Sequence, residues 1–321
     1  MSWKIVAKDV DPSDPIMKKL FDEAIAAAPS GYVKINKEGE IVSEDTVAML
    51  PRHPVTGKCR LCGQEAELTK EHIPPKSSGN KQRHTKLTFD DWMKHHLEAD
   101  TKSKHTIEQG GIFGYTLCRK CNSLTGKLYG NEYKNWVIRA NKMIEGFGSG
   151  IAAQLNQLNG PFGEEINFGT KEDGGVRTGA LVRQVLSCMC SLSGSWDLAE
   201  RHSVLRRIIL EQSTEALPDS LELGMSIYFG PRVRIQGPQL RVDAKTGIWR
   251  WFQEIAFPPF AFLMVVASNS KEPGLGLLIN RMTEVHPDIR QNFTGIIELG
   301  FGWSPYPGDY RSEAAIIAGR T

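Results

Sequence analysis

Hydrophobic positions in the first half of the chain recur mainly at helical spacing. Ile16, Leu20, Phe21, Ala24 and Ile25 form one such series, and Tyr133, Trp136, Val137, Ala140 and Ile144 form another within residues 128–147. Asp14-Pro15 supplies an N-cap acid and a proline suited to the first helical position, and Pro29-Ser30-Gly31 closes that helix. Gly146, Gly148 and Gly150 are expected to stop the later helix and open a linker. Short apolar runs predict strands at 32–35, 41–43 and 112–117, and residues 89–97 fit a short amphipathic helix. In the second half, helices are expected at 180–192 and 197–211. Strands follow at 221–229, 232–236, 240–243, 248–252 and 260–267, with a hairpin turn at 243–247. The pattern predicts an α+β chain in three parts: an N-terminal helix with short strands (1–50), a small cysteine-bearing module (51–148) and a C-terminal α+β accessory region (149–321).

Composition narrows the class. With 40% hydrophobic and 24% charged residues the chain can bury a core, which excludes wholesale disorder. The longest apolar stretch, 255–267, is interrupted by Pro258 and Pro259 and is too short to cross a bilayer. The first residues lack the pattern of a secretory signal. The expectation is a soluble cytoplasmic protein with no membrane partner. Net charge is only +2, but it is unevenly spread: residues 50–130 carry 14 Lys and Arg against 8 Asp and Glu, whereas the remainder carries 25 against 29. Six of the eight histidines lie in the same window. A basic, histidine-rich patch suits an anionic ligand, nucleic acid first; a solvated lysine-rich loop is the plainer alternative.

That window contains the chemistry. Cys59 and Cys62 form one pair and Cys118 and Cys121 another, each with two intervening residues. Four thiolates so spaced can surround one zinc ion tetrahedrally in a closed, structural site. Two disulfides or four unrelated thiols are the alternatives. Cys188 and Cys190, in an apolar helical stretch, read as buried small hydrophobes.

Between the pairs lies Glu71-His72, and Asn122 directly follows the second pair. A hard divalent cation takes oxygen ligands, which Glu71 and Asn122 offer, and an imidazole titrates near neutrality as a general base needs to. A Glu-His dipeptide alone is a common chance pair. Its weight here comes from lying inside the cysteine frame and ahead of Pro74-Pro75-Lys76-Ser77.

Together, Cys59-x-x-Cys62, Glu71-His72-Ile73-Pro74-Pro75-Lys76-Ser77 and Cys118-x-x-Cys121-Asn122-Ser123, with Gly126-Lys127 beyond, resemble the HNH endonucleases, in particular their four-cysteine, treble-clef branch with a ββα-metal site. The resemblance covers about residues 55–130. It implies structural zinc on the four cysteines, His72 as general base on the first strand, and Glu71 and Asn122 as ligands of a catalytic Mg2+ or Mn2+. It also implies hydrolysis of DNA to a 5′-phosphate and a 3′-hydroxyl, in restriction or antiviral defence. One departure stands out. Many members carry an asparagine on the second strand that braces the loop, and residues 111–117 here contain none. The bracing role is left open among Asn80, His84 and His105.

Lys76, Arg119, Lys120 and Lys127 are the cations expected to bind nucleic acid, DNA preferred, with Lys76 and Arg119 nearest the cleaved phosphate. Trp249 and Trp251 alternate on a strand and read either as the buried face of a sheet or as a base-stacking surface. The accessory region is assigned a regulatory, sensing or dimerising role, a homodimer being one arrangement open to it. Two other readings compete with the endonuclease: a zinc-stabilised nucleic-acid-binding module without catalysis, and a structural zinc protein that binds another protein.

Overall fold

The computed structural model describes residues 15–27, 34–35, 41–42, 50–81, 84–86, 106–155, 163–170, 174–228, 233–243, 246–270 and 277–298. The chain is a mixed helix and sheet (α+β) protein with a four-cysteine cluster. Strands β1 (Lys34–Ile35) and β2 (Ile41–Val42) pair with each other. Helix α1 (Pro15–Ala26) lies against the large C-terminal sheet, where Ala24 joins Trp196, Trp249 and Trp251 in a small apolar cluster.

The cysteine region is built on a three-stranded antiparallel sheet in the order β3 (Thr56–Lys58), β4 (Glu65–His72), β7 (Phe113–Cys118). Strands β5 (His84–Lys86) and β6 (Thr106–Glu108) pair in the connection between β4 and β7. The helix expected at 89–97 lies outside the described residues. Helix α2 (Arg119–Thr125) starts directly from β7. It passes through a wide π-turn (Gly126–Gly130) into α3 (Asn131–Leu155). The expected stop at Gly146, Gly148 and Gly150 is thus corrected. A helical glycine costs about 1 kcal/mol relative to alanine but terminates a helix only when it turns left-handed, and none of the three has positive φ.

After β8 (Gly163–Gly169), helix α4 (Thr178–Leu192) runs through the centre of the molecule with every residue buried. The helix expected at 197–211 is two, α5 (Leu198–Arg201) and α6 (Ser203–Leu210), divided at His202. Strands β9 (Glu222–Ile227), β10 (Arg234–Asp243), β11 (Ile248–Phe257), β12 (Phe260–Ser268) and β13 (Leu277–Leu278) form a sheet in the order β10-β11-β12-β9-β13. The strands expected at 232–236 and 240–243 are one strand. Gly237-Pro238 between them makes a bulge, because proline has no N–H to give to the ladder. Strand β14 (Phe293–Glu298) pairs with β8.

One apolar core crosses the boundary expected near residue 148. Leu61, Leu117 and Tyr129 belong to the same cluster as Leu181, Val185, Met225 and Phe262. Trp136 of α3 stacks on Phe168 of β8 with ring centroids 4.6 Å apart. Cys188 and Cys190 are buried in this core. Arg183, on α4, is fully buried. Its guanidinium donates to the backbone carbonyls of Gly179, Ile208, Ser213, Thr283 and Val285, tying together four stretches of the C-terminal half.

Arg183→Ala strands those carbonyls in a dry core and should cost about 3–5 kcal/mol in urea unfolding. Arg207→Ala, which breaks a solvent-exposed ion pair with Glu215, should leave the urea midpoint nearly unchanged.

Candidate functional site

The two cysteine pairs meet. The turn after β3 carries Cys59 and Cys62; the junction of β7 and α2 carries Cys118 and Cys121. All four sulfurs lie within 4.8 Å of one another. Cys62 Sγ and Cys118 Sγ are 3.9 Å apart. Zinc–sulfur bonds of about 2.3 Å in a tetrahedron require sulfur separations of about 3.8 Å, so the cluster can bind a structural zinc ion. The Cys118 amide donates to Cys59 Sγ at 3.3 Å, placing a positive dipole at a sulfur that must be a thiolate. The Cys121 thiol hydrogen-bonds Cys59 and pulls it down to about 4, while the same contact drives Cys121 up.

The knuckle is also bolted to the helices. Gly63 sits at φ +78°, and a Cβ there would stand 2.7 Å from the Arg206 guanidinium. Arg206 Nε donates to Leu61 O at 3.0 Å, and Lys58 pairs with Asp197 at 3.2 Å and Glu200 at 3.4 Å.

The cluster delivers Asn122 to β4. Strand β3 pairs with residues 65–67 of β4, and among the described residues no strand pairs with that edge of β4 further along. Asn122 fills it, its Nδ2 donating to Thr69 Oγ1 and to Lys70 O, both at 3.0 Å. The amide oxygen takes no hydrogen bond among the described residues.

Glu71 and His72 project to opposite faces of β4, as successive strand residues must. Glu71 is on the Thr69 face, only 5% exposed. Its Oε2 accepts from Ser191 Oγ at 2.7 Å and Thr116 Oγ1 at 3.2 Å. Oε1 takes no hydrogen bond among the described residues and is not one of the sealed, partnerless atoms of the core. Burial pushes the carboxyl up to about 7 against the pull of the two hydroxyls. Of the three expected site residues, Glu71 bonds Thr116 and Ser191, Asn122 bonds Thr69 and Lys70, and His72 bonds the Gly110 carbonyl and lies across the strand from Glu71.

His72 is half-buried beside Lys70, its ring 5.7 Å from Phe113. Its Nε2 bonds Gly110 O at 3.0 Å; a carbonyl only accepts, so the neutral ring carries its proton on Nε2 and leaves Nδ1 as the base. Burial lowers its pKa from 6.5, and the charges of Lys70, Lys76 and Arg52 act the same way. Arg52 and Lys70 each stand 3.7 Å from the Phe113 ring centroid, a cation–π arrangement beside the imidazole.

Asn80 braces the loop. It is 2% exposed; Nδ2 donates to Pro74 O at 2.7 Å and Ile112 O at 2.9 Å, and Oδ1 accepts from Ile112 N at 2.7 Å. Gly111 lies against its backbone at φ +83°, where any side chain would collide. By fixing residue 112, Asn80 fixes the adjoining Gly110 carbonyl that orients His72.

Of the expected nucleic-acid cations, Lys76 acts on His72, while Arg119, Lys120 and Lys127 are exposed on α2 and the π-turn. His84 lies in β5, and His105 is outside the described residues. Trp249 and Trp251 are buried, which removes them as a stacking surface. Sequence reading passed over Arg52 and Lys70; the only signal for Lys70 was its position two residues before His72, on the same face of a strand.

Two outcomes follow from this geometry. Elemental analysis should find one zinc ion per wild-type chain and none in Cys118→Ser, which should also lose amide protection across β4 and β7. Glu71→Gln should stabilise the metal-free protein selectively at high pH. The folded pKa of about 7 exceeds the ordinary 4.5, so the buried charge penalises folding nowhere below 4.5, increasingly between the two values, and fully above 7. Thermal unfolding at about pH 8 should show a gain on the order of 3 kcal/mol that vanishes near pH 4.

No helix among the described residues is long and apolar enough to cross a membrane. Comparison with protein-family models, curated proteins and solved structures gives no match, so the geometry of the site itself must carry any assignment.

Proposed function

We propose that this chain is a metal-dependent endonuclease of the HNH kind, cleaving phosphodiester bonds in DNA through a zinc-stabilised treble-clef ββα-metal module. The observation that carries the reading is the convergence around β4. A four-cysteine cluster holds Asn122 against Thr69 and Lys70, two to three residues from an imidazole kept neutral among three cations.

Each group has a part. Arg52, Lys70 and Lys76 attract the phosphate backbone, a contact that gives affinity without sequence preference. His72, oriented through Nε2 by the Gly110 carbonyl, takes a proton from water on Nδ1. Glu71 Oε1 and Asn122 Oδ1, both without hydrogen bonds among the described residues, are the oxygens that would hold Mg2+ or Mn2+. The cation supplies charge stabilisation for the phosphate and the leaving oxygen. Asn80 stands in for the bracing asparagine missing from 111–117, acting from the loop on the strand instead of the reverse. Restriction or antiviral defence is the biology this activity suits.

A second reading is a zinc-stabilised nucleic-acid-binding protein without catalysis. The burial of Glu71, across the strand from His72, favours it.

Plasmid incubated with zinc-loaded protein and Mg2+ separates the two. Nicking by wild type, reduced at least about 100-fold in His72→Ala with DNA affinity retained, is the endonuclease outcome. The neutral imidazole is the active form and its pKa lies below 6.5, so the rate should stay level from about pH 8 down to 6.5 and fall only at lower pH. Salt-sensitive binding with no nicking in any divalent metal points to the second reading.

A further inference from the structure

We propose that Ser191, from the C-terminal half of the chain, is a positioning residue of the metal site: it holds Glu71 by one carboxylate oxygen so that the other faces the cation. The inference rests on the endonuclease reading and goes past the module that carries the motif.

Ser191 is 120 residues from Glu71 in sequence and fully buried. Its hydroxyl makes the shorter of the two bonds to Oε2, at 2.7 Å against 3.2 Å from Thr116. Both donors act on the same oxygen. A carboxylate gripped in that way has its rotation fixed, and its Oε1 is left without a hydrogen bond among the described residues and outside the sealed atoms of the core. The serine is itself immobilised. Its carbonyl accepts from Arg60 Nη1, next to Cys59, and its helix is anchored by the four bonds of Arg183 to carbonyls outside it. The last turn of α4 is thus clamped between the zinc knuckle and the C-terminal half, with a hydroxyl aimed at the one buried acid of β4. Partners of this kind around a metal ligand are commonly worth 10–100-fold in metal affinity. The site is then shared between two stretches of chain, and the motif-bearing stretch alone lacks one of its donors.

Ser187, one turn earlier on the same helix, provides the control. It is equally buried, and its hydroxyl has no hydrogen-bond partner among the described residues. The zinc-loaded 321-residue chain is titrated with Mn2+ and free ion is followed by electron paramagnetic resonance, without DNA cleavage as a readout. Ser191→Ala should weaken Mn2+ binding about tenfold or more at unchanged zinc content, with Ser187→Ala like wild type. Glu71→Gln should abolish the same site, and Ser191→Ala should cost nothing further on that background, as a residue acting through Glu71 requires. If Ser191→Ala fails to hold zinc, Ser191→Cys, close in volume and a weak donor, decides by the same criterion. Mn2+ affinity in the serine variants equal to that of wild type overturns the role of Ser191 while leaving the metal site standing. A wild-type protein with no Mn2+ site sensitive to Glu71→Gln overturns the metal reading itself, and this inference with it.

Discussion

Four sulfurs that cannot be packed together as anions without a cation set the shape of the functional half. Thiolates within 4.8 Å of one another repel strongly in a dry setting, and one zinc ion converts that repulsion into four bonds. The β4–β7 ladder and the bond from Arg60 N to Thr116 O already bring the segments near residues 60 and 120 together, and the ion would lock them there. Once they meet, α2 must leave β7 along the free edge of β4, and Asn122, directly after the last cysteine, reaches the backbone of Lys70. The position of the third motif residue is therefore a consequence of metal-site closure.

The strand then divides the labour. Its period of two sends Thr69 and Glu71 toward α2 and α4, and Lys70 and His72 toward Phe113 and Arg52. One face is dry and holds an acid whose charge is costly without a cation. The other is cationic and keeps an imidazole unprotonated at neutral pH. In the endonuclease we propose, a phosphodiester reaching the end of β4 would meet the charges of Arg52 and Lys70, His72 as the base and, across the strand, Glu71. The dry face exists only because α4 covers it, which makes the C-terminal half part of the site's physical environment and not an appended body.

Much of this was legible in the sequence, for reasons that differ by residue. The cysteine pairs declare themselves because metal geometry fixes their local spacing. The cores of α1 and α3 are visible in helical periodicity. The glycines at 146–150 misled because their identity does not reveal whether φ is positive. Gly237-Pro238 looked like a strand end because a bulge and a break share the same residues. Glu71-His72 was read as one unit; the alternation of a strand separates them, and β4 carries too many charges for its period to be heard in hydrophobicity. The roles of Asn80 and Ser191 are long-range. Neither the bonds from Asn80 to residue 112 nor the bond from Ser191 to Glu71 leaves a trace in local pattern.

The central claim is that one bound ion holds two distant segments so that a second can sit between Glu71 and Asn122. Anomalous diffraction at the zinc and manganese edges, from crystals soaked in Mn2+, tests it directly. The account predicts a zinc peak about 2.3 Å from each of the four sulfurs and a manganese peak about 2.0–2.6 Å from Glu71 Oε1 and Asn122 Oδ1. Sulfur–sulfur bonds in place of the first peak, or manganese only at surface carboxylates away from β4, would contradict it.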